Sequence, residues 1–272
     1  MFIVKVPGIN GLGKTVGCER AGNEILRVVK EEIFTNESGK EIDLSKEDLE
    51  EIHLDNSNLE LTNKLIYKNA FETFQSKPKT IFLGGDHSIS FSLGNAFLDF
   101  CQDSGKKPCL IVFDAHPDCM EVTKGCEKYP NHEEWLRGLI DKGFPAKNIL
   151  LVGVRNSDIS EIEFIKENNI KVITMNQLTE NIQDICEVIM EFADKKELYL
   201  SLDIDAIDPA FAPSTGYGEP GGLTSRQFIY LIQRINKIKN LRAIDLVEIN
   251  AKNDLDGKTV KLGAKILSEL LQ

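Results

Sequence analysis

The sequence predicts an α/β fold in which a parallel sheet is covered by helices on both faces. Short apolar runs alternate with longer amphipathic stretches along the 272 residues, which is the pattern of repeated βαβ units. Several runs are continuously apolar, as expected for strands that are buried on both faces. Because no linker, repeat or low-complexity stretch interrupts this alternation, we expect one domain over residues 1–272.

Each predicted element is bounded by its own signals. The first helix carries an apolar stripe that includes Ile25, Val28 and Val29. Pro78 ends the next helix, and Gly84-Gly85 permits a tight turn after a strand. We expect strands at residues 2–6, 51–54, 80–83, 109–113, 148–152, 170–173, 197–202 and 243–247. We expect helices at about 19–34, 59–75, 89–101, 133–142, 159–168, 180–194, 224–235 and 258–271.

Composition and charge argue against several classes of protein. The chain has 43 acidic and 32 basic residues, a formal net charge of −11, which disfavours nucleic acid as a partner and favours a cationic substrate. No apolar run approaches the ~20 residues of a membrane span, and the N-terminus is too short for a signal peptide, so we expect a cytoplasmic protein. None of the six cysteines forms a CxxC pair. This predicts free thiols, with Cys119 and Cys126 as bystanders, rather than a structural zinc site.

A glycine-rich segment at residues 8–15 formally matches the phosphate-loop string GxxxxGK[ST]. A phosphate loop opens a helix, whereas the helical pattern here starts only near Glu19. We therefore interpret the segment as a loop at a strand end, with nucleotide binding as the disfavoured alternative.

Aspartate and histidine side chains follow three of the predicted strands. They are His87 after strand 80–83, Asp114, His116 and Asp118 after strand 109–113, and Asp203 and Asp205 after strand 197–202. Because parallel strands present their carboxyl ends at one edge of a sheet, we expect these side chains to meet there. Clustered carboxylates repel one another unless a cation joins them. The alternative is local, with Asp203 and Asp205 capping the loop that follows them and His87 capping a helix.

A pair of divalent cations would account for this set. Four carboxylates balance the charge of two such ions, and two ions lower the pKa of a water held between them. Carboxylates with some imidazole favour Mn²⁺, while Zn²⁺, Ni²⁺, Co²⁺ and Fe²⁺ remain alternatives. The sequence therefore predicts two Mn²⁺ ions and hydrolytic chemistry.

Three segments resemble the metal motifs of the arginase/agmatinase (ureohydrolase) family. They are Gly-Gly-Asp-His-Ser (84–88), Asp-Ala-His-Pro-Asp (114–118) and Ser-Leu-Asp-Ile-Asp-Ala-Ile-Asp-Pro-Ala-Phe-Ala-Pro-Ser-Thr-Gly (201–216), in the family's order. The resemblance implies a three-layer αβα sandwich with a parallel, roughly eight-stranded sheet, two Mn²⁺ ions, a homo-oligomer (trimer or hexamer) and hydrolysis of a guanidino group. It also implies two ligand sets, namely His87, Asp114, Asp118 and Asp203 for one ion and His116, Asp114, Asp203 and Asp205 for the other.

Further positions resemble residues that handle the substrate in this family. Glu248 matches the carboxylate that binds the guanidinium, a planar cation with two parallel donors. His132 matches the loop histidine that passes a proton to the leaving amine, and Asp118 would steady the attacking hydroxide. Asp158 matches the aspartate that holds the substrate's α-amino group, with a helix N-cap as an equal alternative.

The expected substrate is arginine first and agmatine second, with guanidinobutyrate, guanidine and formimidoylglutamate also open. Met120 departs from the resemblance, because arginases usually offer a polar side chain there for the substrate carboxylate. Trp135, the only tryptophan, is expected to pack its helix rather than to line the pocket. A metal-binding regulatory protein without turnover is the alternative from another class, and the six ligands with Glu248 argue against it.

Overall fold

Eight parallel strands form the central sheet. A computed structural model describes residues 1–126 and 128–271. The strands are β1 (Phe2–Val6), β2 (Asp48–Glu51), β3 (Thr80–Gly84), β4 (Pro108–Phe113), β5 (Ile149–Val154), β6 (Lys171–Thr174), β7 (Glu197–Asp203) and β8 (Leu241–Val247). Their order across the sheet is β2-β1-β3-β8-β7-β4-β5-β6, and all neighbouring pairs are parallel. The predicted fold class is confirmed.

The helices form one layer on each face of the sheet. One layer contains α2 (Leu59–Ser76), α3 (Ile89–Asp103), α4 (Trp135–Asp141) and α5 (Ile159–Glu167), and the other contains α1 (Ala21–Glu32), α6 (Met175–Glu180), α7 (Ile182–Phe192), α8 (Ser225–Ile235) and α9 (Lys258–Leu270). Strand β4 joins the two layers because its side chains alternate: Ile111 and Phe113 pack on the α1 side, and Leu110 and Val112 on the α2 side. Within the described residues, no helix is long and apolar enough to cross a membrane.

Three of the elements that differ from their predicted bounds do so for a local structural reason. Strand β2 lies earlier than the predicted 51–54. It is an edge strand whose side chains are all exposed, so the sequence has no apolar pattern to mark its position. The helix predicted at 180–194 is α7, which begins at Ile182 because the Asn181 side chain caps it, and the short helix α6 before it was not predicted. The helix predicted at 133–142 starts two residues later, as α4 (Trp135–Asp141), because the Glu134 side chain accepts backbone N–H groups of the preceding loop.

The sheet order brings together segments that are distant in the sequence. Strands β3, β8, β7 and β4 are consecutive at its centre. Since these strands are parallel, residues 84–88, 114–118 and 203–205 and Glu248 emerge at the same edge.

Candidate active site

The first group of candidate ligands surrounds the Nδ1 atom of His87. This atom lies 2.9 Å from Asp118 Oδ2, 3.0 Å from Asp114 Oδ2 and 3.2 Å from Asp203 Oδ2. All four side chains are buried. Three strand ends therefore place three carboxylates around one imidazole nitrogen.

The second group lies around His116. Its Nδ1 atom is 2.9 Å from Asp205 Oδ2 and 3.6 Å from Asp114 Oδ1. Asp114 thus presents one oxygen to each group. Two triads of ligand atoms, His87–Asp114–Asp118 and Asp114–His116–Asp205, each fit within 4.8 Å, and such a shared carboxylate suits a pair of cations.

The site aspartates also hydrogen-bond to their own loops, and the two roles are compatible. Asp203 Oδ1 accepts the N–H of Asp205 at 2.8 Å and caps a short 3₁₀ turn. Asp205 Oδ1 accepts the N–H of Ala115 at 2.9 Å. In both residues the other oxygen, Oδ2, faces a histidine of the cluster. Asp203 and Asp205 therefore do cap their own loops, as the alternative interpretation expected. Each uses one carboxylate oxygen for this and keeps the other oxygen toward the site.

Unpaired atoms and raised pKa values show that the cluster fits divalent cations. Among the described residues, His87 Nδ1 and Asp114 Oδ2 are buried without a hydrogen-bond partner, which is uncommon for buried polar atoms. Burial and the charge of Asp118 raise the pKa of Asp114 to about 7, and burial raises that of Asp203 well above its usual range. A bound cation would give the unpaired atoms a partner and would stabilise the charged form of the carboxylates. Carboxylate with imidazole is a donor set that suits Mn²⁺ and similar ions.

Two residues that sequence reasoning missed lie behind His87. Its Nε2 atom is 2.9 Å from Ser201 Oγ, and Ser201 donates its only hydrogen to Asp245 Oδ1 at 2.7 Å. The serine oxygen can then only accept from His87 Nε2–H, so Nδ1 is the nitrogen that remains to face the carboxylates and to ligate a cation. Two sequence signals existed: Ser201 shares a strand face with Asp203, and Asp245 interrupts an apolar strand.

Glu248 and His132 form a buried pair beside the cluster. Glu248 Oε1 lies 3.3 Å from His132 Nδ1 and accepts the backbone N–H of His87 at 2.9 Å. Burial lowers the pKa of His132, but the Glu248 carboxylate outweighs it and raises that pKa to about 9. His132 is therefore a cation at neutral pH. Its Nε2 atom has no hydrogen-bond partner in the described part of the chain.

These groups open into a cavity of about 360 Å³. Besides the cluster, its walls include the carboxylates of Glu133, Asp158, Glu161 and Glu219, and none of the described residues that line it is a lysine or an arginine. Such a lining concentrates negative potential and favours a cationic ligand. The predicted preference for a cationic substrate thus has a structural counterpart.

Asp158 both lines this cavity and caps α5. Its Oδ1 atom accepts the N–H of Ser160 at 2.8 Å, and Glu161 Oε2 accepts the Asp158 N–H at 2.9 Å. The hydrogen bonds from Ser160 lower the pKa of Asp158. Both interpretations of Asp158 are therefore compatible with the structure. Glu161, which the sequence did not single out, is buried beside it in the same wall.

The glycine-rich segment 8–15 folds against Asp86 next to the cavity. The Thr15 hydroxyl donates to Asp86 Oδ2 at 2.7 Å. A 3₁₀ turn separates the segment from α1, so the helix N-terminus that a phosphate loop requires does not follow Lys14 directly. Instead, the Lys14 ammonium lies 5.5 Å from the centroid of the Tyr217 ring, and this ring stacks on His132 with centroids 5.7 Å apart.

Known proteins share this fold and sequence pattern. The Arginase family model matches residues 2–272. An arginase of Staphylococcus aureus (strain MRSA252) is 28% identical over 97% of this chain and 94% of its own length. Formimidoylglutamase from Bacillus subtilis (TM-score 0.87, 23% identity) and agmatine ureohydrolase of Thermoplasma volcanium (TM-score 0.84, 26% identity) each align with 99% of this chain, over 85% and 88% of their own chains. The chain therefore belongs to the Arginase family, whose members are binuclear-metal hydrolases of amidino C–N bonds.

Proposed function

We propose that this protein hydrolyses L-arginine to L-ornithine and urea with two Mn²⁺ ions. The observation that carries the proposal is the convergence of six candidate metal ligands, the Glu248–His132 pair and the Asp158–Glu161 wall on one acidic cavity. A guanidinium at one end of the substrate and an ammonium at the other would each meet carboxylates there.

The metal ligands in this proposal are the two sets that the sequence predicts. His87, Asp114, Asp118 and Asp203 would hold one ion, and His116, Asp114, Asp203 and Asp205 the other. When bound, the ions would supply an activated water as the nucleophile for the guanidino carbon. The bridging position of Asp114, with one oxygen toward each histidine, supports this assignment.

Glu248 and His132 would bind and protonate the guanidino group. The buried Glu248 carboxylate accepts two parallel N–H groups of a planar cation. In the metal-free protein Glu248 raises the pKa of His132 to about 9, which favours a protonated imidazole at this position. A second cation bound to Glu248 would weaken the hold of His132 on that proton. The unpartnered Nε2–H would then transfer its proton to the leaving nitrogen.

The far end of the substrate would be held by charges of both signs. Asp158 and Glu161 offer carboxylates to an α-ammonium. Lys14 does not line the cavity itself, but its exposed ammonium lies 5.5 Å from the ring centroid of Tyr217, which does, and it would face the α-carboxylate at the cavity mouth. This pairing supports arginine over substrates that lack an amino-acid end group.

Agmatine is the second candidate, and Met120 and Glu133 favour it. Both side chains line the cavity, and neither can donate a hydrogen bond to a carboxylate at neutral pH. Agmatine has no carboxylate, so it requires no such donor.

The test is urea release by the Mn²⁺-loaded protein from arginine, agmatine, guanidinobutyrate and guanidine. Formimidoylglutamate is followed through formamide, because it yields no urea. Turnover of arginine with the highest kcat/KM supports the proposal, and turnover of agmatine alone replaces it with the second candidate. Bound metal without turnover of any compound favours a regulatory metal-binding protein.

The family resemblance also supports a homo-oligomer, trimeric or hexameric, in the cytoplasm. Sedimentation equilibrium of the purified protein tests the assembly, and a monomer at micromolar concentration would contradict it. Cell fractionation tests the compartment.

A further inference from the structure

We propose that Trp135 is a positioning residue of the metal centre, whose indole N–H holds Asp118 in place before a cation binds. The inference rests on the metal centre of the proposed function but not on the identity of the substrate. The sequence led us to expect only packing from this side chain.

Trp135 contacts two candidate ligands at once. It is fully buried at the start of α4, and its Nε1–H donates to Asp118 Oδ2 at 2.9 Å. The same oxygen lies 2.9 Å from His87 Nδ1. The indole ring also packs on the His87 imidazole, with centroids 4.7 Å apart. One side chain therefore fixes the relative position of an imidazole and a carboxylate.

Asp118 needs such support for two reasons. Its backbone is left-handed (φ 50°), a conformation that is strained for a residue other than glycine. Its carboxylate also shares the surroundings of His87 Nδ1 with Asp114 and Asp203, and these like charges repel it. Without a hydrogen bond, rotation of the side chain away from its neighbours would relieve this repulsion.

The segment around Trp135 counters both effects. The backbone N–H of Leu136 donates to the Asp118 carbonyl at 3.1 Å, which fixes the strained backbone. The indole N–H fixes the carboxylate itself. The ligand is thus oriented in the metal-free protein, so a cation does not have to order it on binding.

Calorimetric titration of the metal-free protein with Mn²⁺ tests this inference without any substrate. Groups that hydrogen-bond to metal ligands commonly change metal affinity by about 10–100-fold, and we expect a loss of that size in Trp135→Phe, which keeps a ring against His87 but lacks the N–H. The control is Phe74→Leu, a buried aromatic position in another part of the core, for which we expect unchanged Mn²⁺ affinity.

A single-atom replacement separates the hydrogen bond from packing. Because Trp135 is the only tryptophan, biosynthetic replacement of tryptophan by 3-benzothienyl-alanine exchanges N–H for sulfur at this position alone. The same affinity loss in this protein supports the inference even if Trp135→Phe fails to fold. Wild-type Mn²⁺ affinity in the sulfur-containing protein overturns it and leaves the proposed function intact, whereas a wild-type protein that binds no Mn²⁺ overturns both.

Discussion

Replacement of Glu248 by glutamine tests the proposed guanidinium site most directly. The substitution keeps the shape of the side chain and an acceptor for the His87 N–H, but it removes the buried charge that faces the guanidinium. A hydrogen bond to a charged group contributes about 1.5–3 kcal/mol, and loss of one partner of a buried charge pair costs about 2–5 kcal/mol. We therefore expect a loss of about 3 kcal/mol, or roughly 150-fold in kcat/KM.

The assay is steady-state urea release by the Mn²⁺-loaded Glu248→Gln variant, together with Mn²⁺ titration. We expect unchanged Mn²⁺ affinity, because Glu248 belongs to neither triad of ligand atoms. The pKa of His132, followed by NMR in the metal-free protein, should fall from about 9, since the carboxylate that raises it is gone. The matched control is Glu197→Gln, a buried glutamate paired with Arg242 at the start of β7, which should keep its kcat/KM.

Two results would refute this reasoning. Near wild-type kcat/KM in Glu248→Gln would mean that another group binds the guanidinium. A parallel loss of Mn²⁺ and activity would mean that Glu248 acts through the metal centre instead.

Three further predictions concern metal, substrate and stability. Asp203→Ala should lose Mn²⁺ and activity together, measured as metal content and urea release, because Asp203 belongs to both predicted ligand sets; full activity would contradict the assignment. Lys14→Met should lower kcat/KM for arginine about fivefold, the size of an exposed ion pair, and leave agmatine unaffected; equal losses for both compounds would separate Lys14 from carboxylate recognition. Burial lowers the pKa of Lys79 to about 8, whereas the pKa in the unfolded chain is near 10.5. Below pH 8 the lysine is charged in both states, and burying this charge destabilises the folded state to the full extent. Between pH 8 and 10.5 the folded state holds a neutral lysine, so the destabilisation becomes smaller as the pH rises. Lys79→Met should therefore raise the free energy of unfolding by about 1–3 kcal/mol at pH 7, with a gain that shrinks between pH 8 and 10.5 in urea denaturation; a gain independent of pH would contradict the shift.

Local patterns were sufficient to predict the central strands and the positions that follow them. Strands β4 and β7 are buried on both faces; β4 is a continuous apolar run, and in β7 only Ser201 interrupts the apolar residues between Leu198 and Leu202. The i, i+2 spacing of Asp203 and Asp205 after β7 indicated that both carboxylates belong to one site, and each faces a histidine of the cluster. Strand β2 was misplaced because an exposed edge strand has no apolar period to detect.

Contacts between distant segments could not be predicted in this way. Trp135 meets Asp118 only because the loop between them folds back toward the end of β4. No periodic pattern in the sequence indicates this contact. From the sequence alone, a buried tryptophan in a helix is most simply explained by packing. Glu161 was overlooked for a related reason: its place in a capping box accounts for it locally, while its burial beside the cavity depends on the tertiary fold.

Backbone strain links the stability of this fold to its site. Asp118 and Glu248 both have left-handed backbones, with φ of 50° and 64°, and glycine would relieve the strain at either position. Each instead carries a carboxylate that a hydrogen bond orients, from the Trp135 indole to Asp118 and from the His87 N–H to Glu248. The left-handed turns let two strand ends direct carboxylates toward His87, so the strain is a consequence of the geometry that the proposed metal and guanidinium sites require. The hydrogen bonds that offset this strain are therefore part of the site as much as the ligands are.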